Sequence, residues 1–205
     1  MTTSTDIADL YRTPVTLEGQ HVRLVPLTLE HAASLFRALN GDEELWRYIP
    51  VEQPRTLADM RGWIGTALEE HIQQRRVPFA VIETAGALVI GSTSYVNMSP
   101  SNRNLDIGWT WYAREYWRTA VNTECKYLLL HYAFETLGCI RVQLRVDLRN
   151  LRSQRAVERI GSIKEGVLRK AQILHDGHER SVVLYSLLDE EWPSRKAWFE
   201  ETLRR

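Results

Sequence analysis

Apolar and polar residues alternate with period two along several short segments, a pattern that is typical of β-strands. The clearest case is residues 141–148, in which every second residue is Val or Leu. Two adjacent runs flank Ala85–Gly86, which indicates a hairpin, and a second turn is predicted at Asp176–Gly177. The predicted strands cover residues 21–27, 77–84, 87–98, 104–113, 141–148 and the two halves of 165–188.

The strand at residues 104–113 is rich in aromatic residues. Alternation predicts that Ile107, Trp109 and Trp111 lie on one of its faces. Gly108, in the middle of the segment, indicates a bulge or a close approach of another backbone.

Other segments repeat apolar residues every three or four positions, which is typical of amphipathic helices. Thr28, Thr56 and Asn150 can cap the first turns of three of them. The predicted helices cover about residues 28–41, 56–72, 118–138, 150–161 and 192–203. This order of elements predicts one α/β domain over residues 21–205 with a mixed sheet, preceded by a loosely ordered lead-in at residues 1–20.

The helix between strands 104–113 and 141–148 begins at a chemically distinctive place. A strand–helix–strand crossover makes the two strands parallel neighbours, so the helix starts at the carboxyl edge of the sheet. Its first N–H groups have no partner within the helix and carry partial positive charge. We therefore predict an anion-binding site at residues 118–123. The alternative is an ordinary capped helix that binds nothing. Neither G-x4-G-K-[ST] nor G-x-G-x-x-G occurs in the chain.

The charges narrow the choice of anion. The chain of 205 residues has 26 Lys plus Arg and 26 Asp plus Glu, a neutral balance that argues against a nucleic-acid partner. However, nine basic residues and only three acids lie between Arg141 and Lys170. This stretch suits a small polyanionic ligand, unless it is simply a solvated arginine-rich face.

Several classes of protein are disfavoured. The two cysteines form no disulfide framework and no CxxC pair, which predicts a reducing, cytoplasmic location and no metal site of that type. The N-terminus has no signal-peptide pattern, and no apolar run approaches the roughly 20 residues that span a bilayer, so no membrane partner is expected. No G-x-S-x-G or H-E-x-x-H motif is present.

Three segments carry a resemblance to a known family. "IGWTWYAREYWRTAVNTECKYLLLHYAFETLG", "RVQLRVDLRNLRSQRAVERIG" and "KEGVLRK" resemble the acetyl-CoA-dependent GNAT N-acetyltransferases, in particular the branch of the ribosomal-protein-alanine acetyltransferases. The resemblance covers about residues 20–190. It implies an α/β (α+β) fold with a mixed, mostly antiparallel sheet of six to seven strands. Two central parallel strands would splay apart, and helices would cover both faces.

The same resemblance implies how acetyl-CoA would bind as the cosubstrate, without a metal. Backbone groups of Trp109, Thr110 and Trp111 would hold the pantetheine arm. The implied pyrophosphate loop comprises Arg118, Thr119, Ala120, Val121, Asn122 and Thr123. The loop departs from the family pattern at Trp117, where Gln or Arg is usual, and at Ala120, where Gly is usual.

Candidate proton carriers also follow from the resemblance. Asp106 would accept the proton of the amine through water, and Ser153 would protonate the leaving thiolate. Asn150 would contact the cofactor arm while it caps its helix. The structural alternatives are a solvent-facing Asp106 and a Ser153 bonded to backbone. Val157 and Gln172 stand where relatives carry a tyrosine acid and a glutamate base.

The amine acceptor is less clearly predicted. Glu43, Trp46 and Tyr48 lie in the segment that would roof the acceptor pocket, where an ordinary surface loop is the alternative. The predicted reaction is direct attack of a primary amine on the thioester in a ternary complex. A protein or peptide N-terminus and a small-molecule amine remain open as acceptors. Seven tryptophans are many for 205 residues, and a homodimer interface or the acceptor pocket is the expected place for some of them. Two rivals are an acyl-CoA-binding regulator without turnover and an unrelated nucleotide-binding domain.

Overall fold

The computed structural model describes residues 7–204, which form one eight-stranded sheet with helices on both faces. The order of the strands across the sheet is β1-β2-β3-β4-β5-β6-β8-β7. The strands are β1 (Leu17–Glu18), β2 (Val22–Pro26), β3 (Arg76–Glu83), β4 (Leu88–Ser99), β5 (Asn104–Tyr112), β6 (Arg141–Asp147), β7 (Ile163–Ile173) and β8 (Glu179–Leu188). The α-helices are α1 (Ala32–Leu39), α2 (Glu43–Trp46), α3 (Leu57–Ile72), α4 (Ala120–His131), α5 (Leu151–Arg159) and α6 (Trp192–Leu203).

Each predicted strand and helix has a counterpart in this structure, and one strand and one α-helix were missed. β1 makes the sheet eight-stranded rather than six- or seven-stranded, and α2 is a single turn. Both are too short to show a period in the sequence. Residues 1–6 of the predicted lead-in lie outside the described residues. In the rest of it Ile7, Leu10 and Leu17 are buried in the core, which anchors this part of the chain to the domain.

One pair of neighbouring strands is parallel and creates a gap in the sheet. β5 and β6 pair from Asn104 opposite Arg141 to Ile107 opposite Leu144, and the pairing stops there. The other adjacent strands pair in antiparallel fashion. The carboxyl-terminal halves of β5 and β6 therefore separate, and the splayed parallel pair is confirmed.

A bulge in β5 changes which residues share a face. Ser92 pairs with Trp111 but Ser94 pairs with Gly108, so β5 holds one extra residue in this interval. Trp109, within the bulge, adopts a left-handed backbone with φ of 53°. As a result Ile107 packs on the α4 side, whereas Trp109 and Trp111 pack on the opposite side. The predicted common face for these three residues is wrong, because simple alternation ignores the extra residue.

The sheet separates two apolar cores. One lies between the sheet and α4 and α6, and it includes Cys125, Leu129 and Phe199. The other lies between the sheet and α1, α2 and α3, and it includes Leu35 and Trp46. No helix within residues 7–204 is long and apolar enough to cross a membrane.

Candidate active site

A cleft of about 1080 Å³ occupies the place where β5 and β6 part. Its walls come from the second half of β5, the end of β6, the starts of α4 and α5, and residues 44–50. Of the predicted site residues, the cleft is lined by Asp106, Trp109, Thr110, Trp111, Arg118, Thr119, Asn122, Asn150, Ser153 and Tyr48.

The start of α4 forms one end of the cleft. Thr119 caps the helix, its Oγ1 accepting from the Val121 N–H at 3.3 Å while its hydroxyl donates to the Tyr116 carbonyl at 2.8 Å. The left-handed position of this turn is Arg118, with φ of 63°, and not Ala120. Ala120 is the first residue of α4 and therefore tolerates its methyl group.

Arg118 directly precedes α4, and Arg152, Arg155 and Arg159 lie on α5; all four line the cleft. Within residues 7–204, none of the four forms an ion pair with a carboxylate. Arg159 donates to Thr123 Oγ1 at 3.1 Å, which ties α5 to the first turn of α4. Unpaired guanidinium groups beside a helix N-terminus make this end of the cleft suitable for phosphate groups.

Trp117, which departs from the family pattern, forms part of the wall. Its Nε1–H donates to the Tyr112 carbonyl at 3.0 Å. The Arg152 guanidinium carbon lies 3.2 Å from the centroid of its ring, and that of Arg114 lies 5.0 Å away. Trp117 thus holds Arg152 at the cleft by a cation–π contact instead of supplying a polar side chain itself.

Asp106 lies at the other end of the cleft and is 7% exposed. Its Oδ2 accepts from Asn97 Nδ2 at 2.8 Å and from Gln143 Nε2 at 3.3 Å. The same oxygen forms an ion pair with Arg145 Nε at 3.0 Å. None of these contacts uses Oδ1. Asp106 is therefore a positioned carboxylate within the cleft rather than a solvent-facing strand residue.

Asn150 and Ser153 lie together where α5 begins. Asn150 Oδ1 accepts from the Ser153 N–H at 3.0 Å, which is the predicted cap. Both residues also line the cleft. Val157, one turn further along α5, is buried at the cleft wall, and Gln172 lies at the rim and accepts from Arg180 at 3.0 Å.

The structure brings only part of the predicted acceptor segment to the cleft. Tyr48 lines it, but Glu43 points to Arg55, with which it forms an ion pair at 3.1 Å. Trp46 is 3% exposed and packs edge-on against Trp63 and another core tryptophan. α2, which the sequence did not reveal, turns these two residues away from the cleft.

Three residues of the predicted pyrophosphate loop do not line the cleft, and Ala120, which is half-buried, is one of them. Val121 and Thr123 are buried under the first turn of α4 and do not line the cleft. Their backbone N–H groups still belong to the helix N-terminus.

The two cysteines are structural. Cys125 and Cys139 are buried, and burial raises the pKa of both thiols, that of Cys139 to about 12. A thiol that stays protonated is a poor nucleophile. No group of three or more His, Cys, Asp and Glu side chains within residues 7–204 is arranged to hold a metal ion.

Comparison with known proteins agrees with this geometry. The sequence pattern of the acetyltransferase (GNAT) domain family matches residues 21–163. The "Putative ribosomal N-acetyltransferase YdaF" of Bacillus subtilis is 35% identical over 106 residues, which cover 52% of this chain and 57% of that relative. The crystal structure of a "putative acetyltransferase from T. thermophilus" is 41% identical, with a TM-score of 0.85 over 93% of this chain and 98% of that one.

A more distant structure shares the fold. RimJ of Mycobacterium smegmatis, solved in complex with CoA-disulfide, is 20% identical, with a TM-score of 0.77 over 94% of both chains.

The splayed parallel strands and the helix start between them define an acyl-CoA-dependent acyltransferase. The chain belongs to the GNAT acetyltransferase family and is an acetyl-CoA-dependent N-acetyltransferase.

Proposed function

We propose that this chain transfers the acetyl group of acetyl-CoA to a primary amine by direct attack, with both substrates bound together in the cleft between β5 and β6. The observation that carries the proposal is the arrangement of the cleft. Four arginines without carboxylate partners and the start of α4 lie at one end, and the buried carboxylate of Asp106 lies at the other.

The residues of the cleft fit the parts of acetyl-CoA in order. The pyrophosphate would bind the N–H groups at the start of α4 and the side chains of Arg118 and Asn122. The pantetheine arm would follow the backbone of Trp109 and Trp111, because this part of β5 has no strand partner on the β6 side. Acetyl-CoA supplies the activated acetyl group as a thioester.

Asp106 supplies the route by which the amine loses its proton. A carboxylate held by three donors on Oδ2 keeps a fixed position, and it would take the proton from the attacking amine through a water molecule. Ser153 lines the cleft at the start of α5, where it would face the sulfur. Holding both substrates in line contributes several kcal/mol to catalysis by itself.

The acceptor that we propose first is the N-terminal α-amine of a protein. Support comes from the relative that is 35% identical and is named a putative ribosomal N-acetyltransferase, although the match covers only 57% of that relative. Small-molecule amines are the competing acceptors. An assay with ribosomal proteins, peptides with free N-termini and polyamines in parallel separates the two classes.

The proposed function is tested first by a thermal-shift titration with acetyl-CoA and CoA, with ATP and NAD as controls. A ligand that binds only the folded chain at about a hundred times its dissociation constant stabilises it by about 2.7 kcal/mol. We expect an increase in Tm with acetyl-CoA and CoA, and none with the controls at the same concentration. No increase with acetyl-CoA would overturn the assignment of the cleft.

A further inference from the structure

Lys126 is a buried amine that the proposed chemistry has not used. It lies on α4, one turn after Asn122, and is 6% exposed. Its Nζ donates to Thr110 Oγ1 at 2.9 Å, and Thr110 Oγ1 lies 2.8 Å from Thr93 Oγ1. Lys126 and Thr110 both line the cleft.

No carboxylate compensates this amine. Within residues 7–204, Lys126 forms no ion pair, and Glu124, two residues earlier on α4, accepts instead from the backbone of residues 20–22. β5 and β4 present the neutral hydroxyls of Thr110 and Thr93, and Cys125 on the same helix is the titratable group that acts on it. Burial lowers the pKa of Lys126, so its ammonium group is a stronger acid than that of an exposed lysine.

Lys126 and Asp106 reach the cleft from opposite faces of the sheet. Val142, Leu144 and Val146 of β6 pack in the core beneath α4, so the residues that alternate with them face the other way. Asp106 contacts two of those, Gln143 and Arg145. Because of the bulge, Thr110 faces α4 and meets Lys126.

We propose that Lys126 is the proton donor for the leaving thiolate of CoA, an inference that rests on the proposed function. As the amine nitrogen bonds to the carbonyl carbon, the C–S bond breaks and its electron pair goes to sulfur. One proton passes from the Lys126 ammonium to this sulfur, which gives the CoA thiol and a neutral lysine. The proton of the attacking amine leaves separately, through water to Asp106.

The chemistry favours Lys126 over Ser153 for this step. A serine hydroxyl is a far weaker acid than an ammonium group and can only relay a proton that another group supplies. A buried ammonium group without a counterion is also stabilised when an anion forms beside it, because the anion compensates its charge. The thiolate is the anion that remains in this cleft when the C–S bond breaks.

The test does not require the acceptor. The ionisation of the thiol of bound CoA is followed by its thiolate absorbance as the pH is raised, in the wild-type chain and in K126M. We expect the bound thiol to ionise about one pH unit or more lower in the wild type, because a nearby cation stabilises the thiolate. K196M is the matched control, since Lys196 pairs with Glu135 outside the cleft, and it should behave as the wild type.

The outcomes separate this inference from the proposed function. If the wild type binds no CoA, the proposed function fails. If the wild type and K126M both bind CoA and the bound thiol ionises at the same pH in each, Lys126 is not the donor. If the thiol of bound CoA instead ionises at a higher pH in S153A, the role belongs to Ser153. If K126M does not fold, K126Q, which can still donate to Thr110, carries the same comparison.

Discussion

At the scale of single residues, the proton route depends on Asp106. Its position comes from three neighbours: Asn97 on β4 and Gln143 and Arg145 on β6. Because all three contacts are made by Oδ2, the bridging water would bind at Oδ1. The carboxylate is thus held in place by groups that do not compete for the oxygen that accepts the proton.

This arrangement makes the contributions of Asp106 and Ser153 separable by mutation. We expect D106N to lower kcat by about 10²-fold, since an amide cannot accept the proton, and S153A to lower it less. Both variants should keep the affinity for acetyl-CoA that calorimetry measures. D189N, at an exposed acid outside the cleft, is the control. If neither variant changes the rate with an identified acceptor, Asp106 is not the proton acceptor and Ser153 takes no part in the reaction.

At the scale of elements, Glu124 joins α4 to the segment that leads into β2. It is 3% exposed, and its carboxylate accepts from the N–H groups of Gln20, His21 and Val22 at 2.6–2.8 Å. A Cβ at Gly19 would clash with the Glu124 side chain, so the turn before β2 closes tightly on α4. This contact fixes α4 against the sheet and therefore positions the start of α4, which forms one end of the cleft.

Removing the Glu124 carboxylate should make the folded chain less stable. We expect E124A to lower the free energy of unfolding by about 2–4 kcal/mol, because three N–H groups lose a charged acceptor. Urea denaturation compares it with E52A, at an exposed position. A loss within about 0.5 kcal/mol of that control would show that water satisfies these N–H groups just as well.

At the scale of the whole molecule, the charge is balanced but unevenly distributed. The net formal charge is zero, yet the phosphate end of the cleft presents four arginines without carboxylate partners among residues 7–204. Acids such as Asp42 and Glu44 pair with Arg114 instead. A neutral protein can therefore attract a polyanionic cosubstrate without binding nucleic acid in general.

The binding of CoA should therefore weaken with salt. We expect the dissociation constant to rise on the order of tenfold between about 0.05 M and about 0.5 M NaCl, since the arginines at the cleft are exposed and screened by ions. R155M should flatten this dependence, whereas R61M, at an exposed position of α3, should not. A dissociation constant that is independent of salt would mean that backbone N–H groups alone hold the phosphates.

The sequence predicted the long strands and helices because each repeats apolar residues with its own period over many neighbouring positions. It missed β1 and α2, which are too short to repeat, and the consequence of α2 for Glu43 and Trp46. It also missed Lys126, although one signal was available: Asn122 and Lys126 are four residues apart on α4 and so share a face at its start.

The sequence by itself determined the order of strands and helices, the crossover between β5 and β6 and the helix start that lies between them. These features follow from local periodicity and from the handedness of crossovers. Only the tertiary structure decided which side chains meet in the cleft. The bulge at Trp109 reverses the faces of β5, and long-range contacts place Lys126 opposite Asp106. Gly108 indicated a bulge or a close backbone approach, but the sequence could not decide between them, because the register of a strand depends on partners that are distant in sequence.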